Sequence, residues 1–186
     1  MGRETAERGV IHKTHAGRLR VALVYPNHYH VGMSNLGFQS VYRLLNSLDL
    51  VVCERAFLPE QDGGKKRRVL TVESQTPIDD FDIIAFSISY ENDAPAVLTI
   101  LETARLPLPA AQRDATLPLV LAGGVFCFLN PEPLAIFMDA FLLGEGEALG
   151  LHEEIKHTPG FSATEAVEIP LFGVHAEGRG LLCVEG

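Results

Sequence analysis

The sequence has no tryptophan, only three cysteines and no C-x-x-C pair. Cys53, Cys127 and Cys183 are odd in number and far apart, which argues against a disulfide framework and gives a cysteine metal site no local support. They read as free, buried cysteines acting as small hydrophobes. No apolar run approaches the ~20 residues of a membrane span. The opening stretch MGRETAERGVIHKTHAGRLR holds no apolar signal-peptide core, so a cytoplasmic protein is expected. Positive charge is scarce: 15 Lys and Arg stand against 24 Asp and Glu, a net charge of -9. Binding a phosphate backbone needs a basic stripe, so nucleic acid is not expected as a partner. The one dense basic run, KKRR at 65–68, reads as a solvated loop, because acidic residues flank it and no aromatics interleave.

What is present is enough apolar residue, 47%, for a real core. Short runs rich in Val, Ile and Leu alternate with helical patterns. LRVALVY (19–25), LVVCERAF (50–57), FDIIAFSIS (81–89) and PLVLAGG (118–124) read as buried strands, and MDAFLLGEGE supplies a short fifth one. RVLTVE, after the basic loop, reads as a short edge strand. Residues 33–48 read as an amphipathic helix, with Met33, Leu36, Val41, Leu44, Leu45 and Leu48 on one face. Residues 92–106 read as a second helix with Asp93 as its N-cap. NPEPLAIF offers Asn130 as N-cap and Pro131 at the first helical position, and 147–157 reads as a last helix. Strands apolar throughout are buried on both faces, as in a parallel sheet covered by helices. The expected fold is a doubly wound α/β domain of about five mostly parallel strands, flavodoxin-like or Rossmann-like. It should span 18–157, after an N-terminal extension (1–17) and before a tail or following module (158–186).

In such a sheet, ligands sit beyond the carboxyl ends of the strands, near the topological switch point. Four segments meet there: PNHYHVGMSN, SISYEN, GGVFCFLNPEP and GEGE. His28 and His30 offer two imidazoles, and a metal site would need two further ligands, with Cys127 and Glu145 as candidates. Two solvent-facing histidines in a polar loop is the favoured reading. Neither a phosphate-binding G-x-x-x-x-G-K-[ST] nor a G-x-G-x-x-G opening the first helix occurs. Glu145 and Glu147 suit the positive end of the next helix, or a polar group of a bound cofactor. Gly123 and Gly124 permit a sharp turn or the close approach of a ligand. Ser87 and Ser89, two apart on the third strand, point to one face. A phosphoacceptor receiver would need an aspartate where Ser87 and Ser89 stand, and a flavin site more Ser and Thr than Ser34 alone.

The phrases VALVYPNHYHVGMSNLGFQSVYRLLN, FDIIAFSISYEND and LVLAGGVFCFLNPEPLAIFMDAFLLGEGE resemble the cobalamin-binding domain at the N-terminus of radical SAM proteins that carry such a module. The likeness covers most of 18–150. In that family a D-x-H-x-x-G signature follows the first strand, and its histidine ligates cobalt. Here Asn27 holds the aspartate position, Tyr29 the histidine position, and Gly32 is kept. His28 and His30 are each one residue out of register. Ser87, Gly123 and Gly124 align with residues that line the groove for the cofactor's nucleotide tail. The resemblance implies an accessory domain, not catalytic alone, that binds a corrinoid without histidine ligation or positions substrate for a C-terminal radical SAM barrel of the same parent. The C-x-x-x-C-x-x-C motif for a [4Fe–4S] cluster is absent, so cluster and S-adenosylmethionine belong to that parent. Ser89 and Glu145 complete the expected cofactor contacts. The alternative is a non-catalytic scaffold domain that has lost cofactor binding.

Overall fold

The computed structural model describes residues 9–60 and 68–143, with strand backbone also at 167–169, 174–176 and 182–185. Five strands form the centre of the sheet: β1 (Leu19–Tyr25), β2 (Val51–Phe57), β3 (Ile83–Ser87), β4 (Leu119–Gly123) and β5 (Ala140–Leu143). Two short strands, β6 (Val167–Ile169) and β7 (Val174–Ala176), pair antiparallel as a separate ribbon. The last, β8 (Leu182–Glu185), joins the main sheet beside β5. The order is β2-β1-β3-β4-β5-β8, and every neighbour in it is parallel. This is the expected doubly wound α/β fold, and chain order reverses between β1 and β3. The expected helix at 147–157 lies outside the described residues.

Alternation along β1 shows why the fold needs two covering layers. Val21, Leu23 and Tyr25 pack on one face with Phe38, Tyr42 and Leu45 of α2 (Leu36–Ser47). Ala22 and Val24 face the opposite core with Val97, Ile100 and Leu101 of α3 (Ala94–Thr103). A period of two within an all-apolar run therefore feeds two cores at once. The helix predicted at 33–48 begins only at Leu36, as α2, and a separate single turn, α1 (Tyr29–Gly32), precedes it. Asn35 breaks them: its Oδ1 accepts from Phe38 N at 2.9 Å and caps α2. A short helix not expected from the sequence, α4 (Val125–Leu129), comes before NPEPLAIF, and Asn130 is its C-cap rather than the N-cap of the next helix. Pro131 begins a short 3-10 segment, Glu132–Phe137, instead.

RVLTVE does not form the edge strand its alternation suggests. It makes one isolated bridge, Leu70 to Pro77, and a turn that straps the free edge of β2. Val72 N donates to Arg55 O, but Arg55 N donates to the Glu73 carboxylate at 2.7 Å rather than to a backbone carbonyl. The side-chain acceptor ends the ladder after one backbone bond. Glu73 also takes Arg55 Nε at 2.7 Å, and both side chains are buried. Burial pushes the Glu73 carboxyl up, and Arg55 pulls it back down. Next to it, His15 Nε2 lies 2.7 Å from Glu54 Oε1, while Thr71 and Ser74 donate to Glu54 Oε2. An exposed edge would invite pairing with another chain; here the edge is covered, and all seven β2 residues are buried.

Two outcomes follow from this strap. Glu73→Ala leaves the Arg55 guanidinium buried without its partner and should cost about 3–5 kcal/mol in urea unfolding; a loss under ~1 kcal/mol would show that the pair is dispensable. Desolvation pushes Glu54 up, but hydrogen bonds from Ser74, Thr71 and His15 outweigh it and hold the group below its ordinary 4.5. A lowered folded value gives stability that is present above the unfolded value and lost as pH falls through the folded one. Glu54→Gln should therefore lower the urea midpoint at pH 7 and narrow its gap to wild type below pH ~4; a constant gap would remove Glu54 from the acid limb.

Candidate functional site at the carboxyl edge of the sheet

The carboxyl ends of β1, β3 and β4 lie side by side, with Ser87 in register with Gly123. Two asparagine amides span the reversal of chain order between β1 and β3. Asn27 Nδ2 donates to Asp93 Oδ1 at 2.9 Å, and Asn35 Nδ2 donates to Ser89 Oγ at 3.0 Å. Both join the loop after β1 to the segment after β3. Ser89 lies just beyond β3, and its hydroxyl is engaged by Asn35. Ser87 is partly buried at the strand end.

Several positions expected to meet a cofactor carry packing. The Tyr29 ring meets Phe57 edge-on, with centroids 5.1 Å apart. A Cβ on Gly32 would lie 2.5 Å from Phe57 Cε1 and 3.0 Å from Tyr25 Cβ, so the glycine lets α1 sit down on β2 and β1. Gly124 has φ 103° and ψ 175°, a backbone conformation close to glycine-only. Its Cβ direction runs into Ile88 O at 2.5 Å. Around it Ile88 N donates to Gly123 O at 2.8 Å, and Phe126 N to Ile88 O at 3.2 Å. Gly123 faces Leu142 O, where a Cβ would sit at 3.3 Å. Glu145 lies outside the described residues.

The metal reading finds no ligand set among the described residues. His28 and His30 stack with centroids 6.2 Å apart. No three His, Cys, Asp or Glu side chains converge as metal ligands among the described residues. Cys127 is buried, its thiol pushed up to about 12, and burial raises Cys53 well above its ordinary value. A [4Fe–4S] cluster takes four converging cysteines, and no such set gathers among the described residues. A corrinoid held by a lower histidine does not fit either, since the position holds Tyr29 and its ring is engaged with Phe57.

Sequence reasoning missed the apolar side chains of this edge. Val125, Phe128 and Leu129 share the outer face of α4 and are 62%, 67% and 74% exposed, while Phe126 and Cys127 turn inward. Tyr90, beyond β3, is 62% exposed, and Leu36, opening α2, 79%. The signal was in GGVFCFLN: five apolar residues in a row cannot all face inward from a single helical turn.

Residues 37–159 match the family described as radical SAM proteins, N-terminal. The chain belongs to that family. It is also 31% identical over 132 residues to an uncharacterized protein of Methanocaldococcus jannaschii, a match covering 68% of this chain and 24% of that relative. The radical SAM N-terminal chain thus spans about a quarter of the relative's length. No solved structure matches it. No helix among its described residues is long and apolar enough to cross a membrane.

The glycine geometry ranks three substitutions. Gly124→Ala meets backbone at a strained φ and should lower the unfolding free energy by about 3 kcal/mol. Gly32→Ala meets the Phe57 ring and Tyr25 Cβ, without a positive φ or an opposing carbonyl, and should cost less, and Gly123→Ala least. Urea denaturation of the three variants checks the order, and a Gly124→Ala protein as stable as wild type would reject the crossing.

Proposed function

We propose that this chain is the accessory N-terminal domain of a radical SAM enzyme and that it works by docking. Its carboxyl edge seats against the catalytic part of the same parent polypeptide and helps position substrate there. The observation that carries this reading is the outer face of α4, where Val125, Phe128 and Leu129 are all apolar and all exposed. Apolar side chains gathered on one exposed face mark interaction surfaces. The family assignment names the occupant by class, and the relative has three times as much chain again outside the match in which such a part can lie. The asparagine bridges make the edge a braced platform rather than a loose loop cluster.

A corrinoid bound without histidine ligation is the second reading. The partly buried Ser87, in register with Gly123 at the edge, is the observation in its favour.

Backbone hydrogen exchange of residues 125–129 separates the two. In the parent polypeptide these amides should exchange at least ~10-fold more slowly than in the 186-residue chain, and Phe128→Asp with Leu129→Asp should remove the difference. Equal rates would overturn docking. Incubation of the parent with hydroxocobalamin followed by gel filtration should leave no corrin absorbance on the protein. Retained absorbance at micromolar protein would establish the corrinoid reading instead.

A further inference from the structure

Packing accounts for the glycines and Tyr29, but not for the polar atoms at the switch point. Asn27 lies two residues beyond β1. Its Nδ2 donates to Asp93 Oδ1, and its Oδ1 accepts from His28 N at 2.8 Å. Three residues are thereby joined into one cluster. Two atoms of that cluster, Asp93 Oδ2 and His28 Nδ1, are shut from bulk water and have no hydrogen-bond partner. Asp93 is only 5% exposed. It stands at the N-cap of α3 yet its side chain caps no helix N–H, so the free oxygen is not spent on the helix. Buried polar atoms are almost always paired, so two orphans in one connected cluster call for a reason. The cluster also lies where order reverses between β1 and β3, the place at which this class of sheet takes its ligands.

We propose that Asn27, His28 and Asp93 form a receptor for a cationic N–H donor, an ammonium or guanidinium group. A carboxylate oxygen can only accept, and His28 Nδ1 accepts in the tautomer protonated at Nε2. The ligand must therefore bring the donors. Asn27 steadies the carboxylate through its other oxygen, which leaves Oδ2 held in place and free. Just above Asp93 in the chain, residues 90–92 are exposed and supply the Tyr90 ring and the Glu91 carboxylate, both suited to a cation at the entrance. The same two carboxylates reject an anion. The donor can arrive on a free small amine or guanidine, or on a lysine or arginine of the parent's catalytic part. The receptor does not depend on the docking reading, because the orphaned atoms stand whichever surface covers them.

The test uses the 15N-labelled 186-residue chain, titrated at constant ionic strength with methylguanidinium, tetramethylammonium and acetate. Methylguanidinium should shift the amides of Asn27, His28 and Asp93 saturably in the millimolar range. Tetramethylammonium, a cation without N–H, should bind at least ~10-fold more weakly, and acetate should give no response. Asp93→Asn should abolish the response; if that variant does not fold, His28→Ala at a partly exposed site should weaken it ~3-fold or more. No saturable shift, or an undiminished one in the variants, would overturn the receptor and leave the two atoms to buried water. The same titration of the parent polypeptide tells the sources apart. A retained response means a site open to a free ligand. A lost response, with the amides already at their bound positions, means a basic side chain of the parent fills it. A lost response with the amides at unbound positions counts against the receptor.

Discussion

Ile88 and Gly124 cross backbone to backbone just past the ends of β3 and β4, and the carboxyl edge takes its shape from that contact. The Ile88 N–H reaches Gly123 O, and the Ile88 carbonyl receives Phe126 N. Only a residue without a Cβ fits between, because the Ile88 oxygen occupies that direction. The crossing fixes the first turn of α4 and so decides which of its residues face out. Phe126 and Cys127 are driven into the core, and Val125, Phe128 and Leu129 are left at the surface. The glycine pair is the hinge of this apolar display.

A second motif recurs around the sheet. Asp82 accepts from Arg20 N and pairs with the Arg20 guanidinium; Glu73 does both for Arg55. Asp139 accepts from Val120 N and pairs with Arg113 at 3.3 Å. In each case a carboxylate supplies the acceptor that a strand N–H lacks where its ladder ends or begins, and an arginine neutralises the charge so introduced. Two of the three arginines are buried, so the arrangement is costly to leave half made. It explains how short strands at the rim of a parallel sheet satisfy their backbone without longer neighbours. It also leaves the carboxyl edge free of these clamps, since Asp82, Glu73 and Asp139 all serve other parts of the sheet.

Much of this fold is legible in the sequence because the strands are apolar throughout. β1 was delimited to the residue, and β2 to β4 within two residues at either end, since nothing else in a chain of this composition makes such runs. The errors fall where a single side chain overrides a pattern. RVLTVE alternates like a strand, but Glu73 intercepts the N–H that would have extended the ladder. NPEPLAIF does turn helical, but only as the 3-10 segment Glu132–Phe137, because Asn130 is taken as the C-cap of α4. At the edge, Asn27 is tied to Asp93, Asn35 to Ser89, and Ser87 stands in register with Gly123. What spacing cannot convey is which of them are used up by packing. Gly32 is filled by Phe57, fifty-seven being a partner on another strand that no local window reveals. Asp93 does stand at the N-cap of α3, but its carboxylate answers to Asn27 across the switch point rather than to a helix N–H.

These contacts show how the loop after β1 is held with a tyrosine at position 29. With Tyr29 in that position, the ring turns onto Phe57, which itself packs on Phe38 of α2. Tyr29 thus joins the core on the α2 side, and Gly32 lets the turn approach closely enough for it to do so. The loop after β1 is then held by aromatic packing below and by Asn27 and Asn35 above. Such a loop needs no cofactor to keep its shape. An edge braced in this way, with exposed apolar side chains and one buried carboxylate oxygen, Asp93 Oδ2, that lacks a donor, is chemically ready for a partner that brings both apolar surface and an N–H cation. A polypeptide surface can offer both at once, which is why the docking reading and the cation receptor, though argued from different atoms, converge on one face.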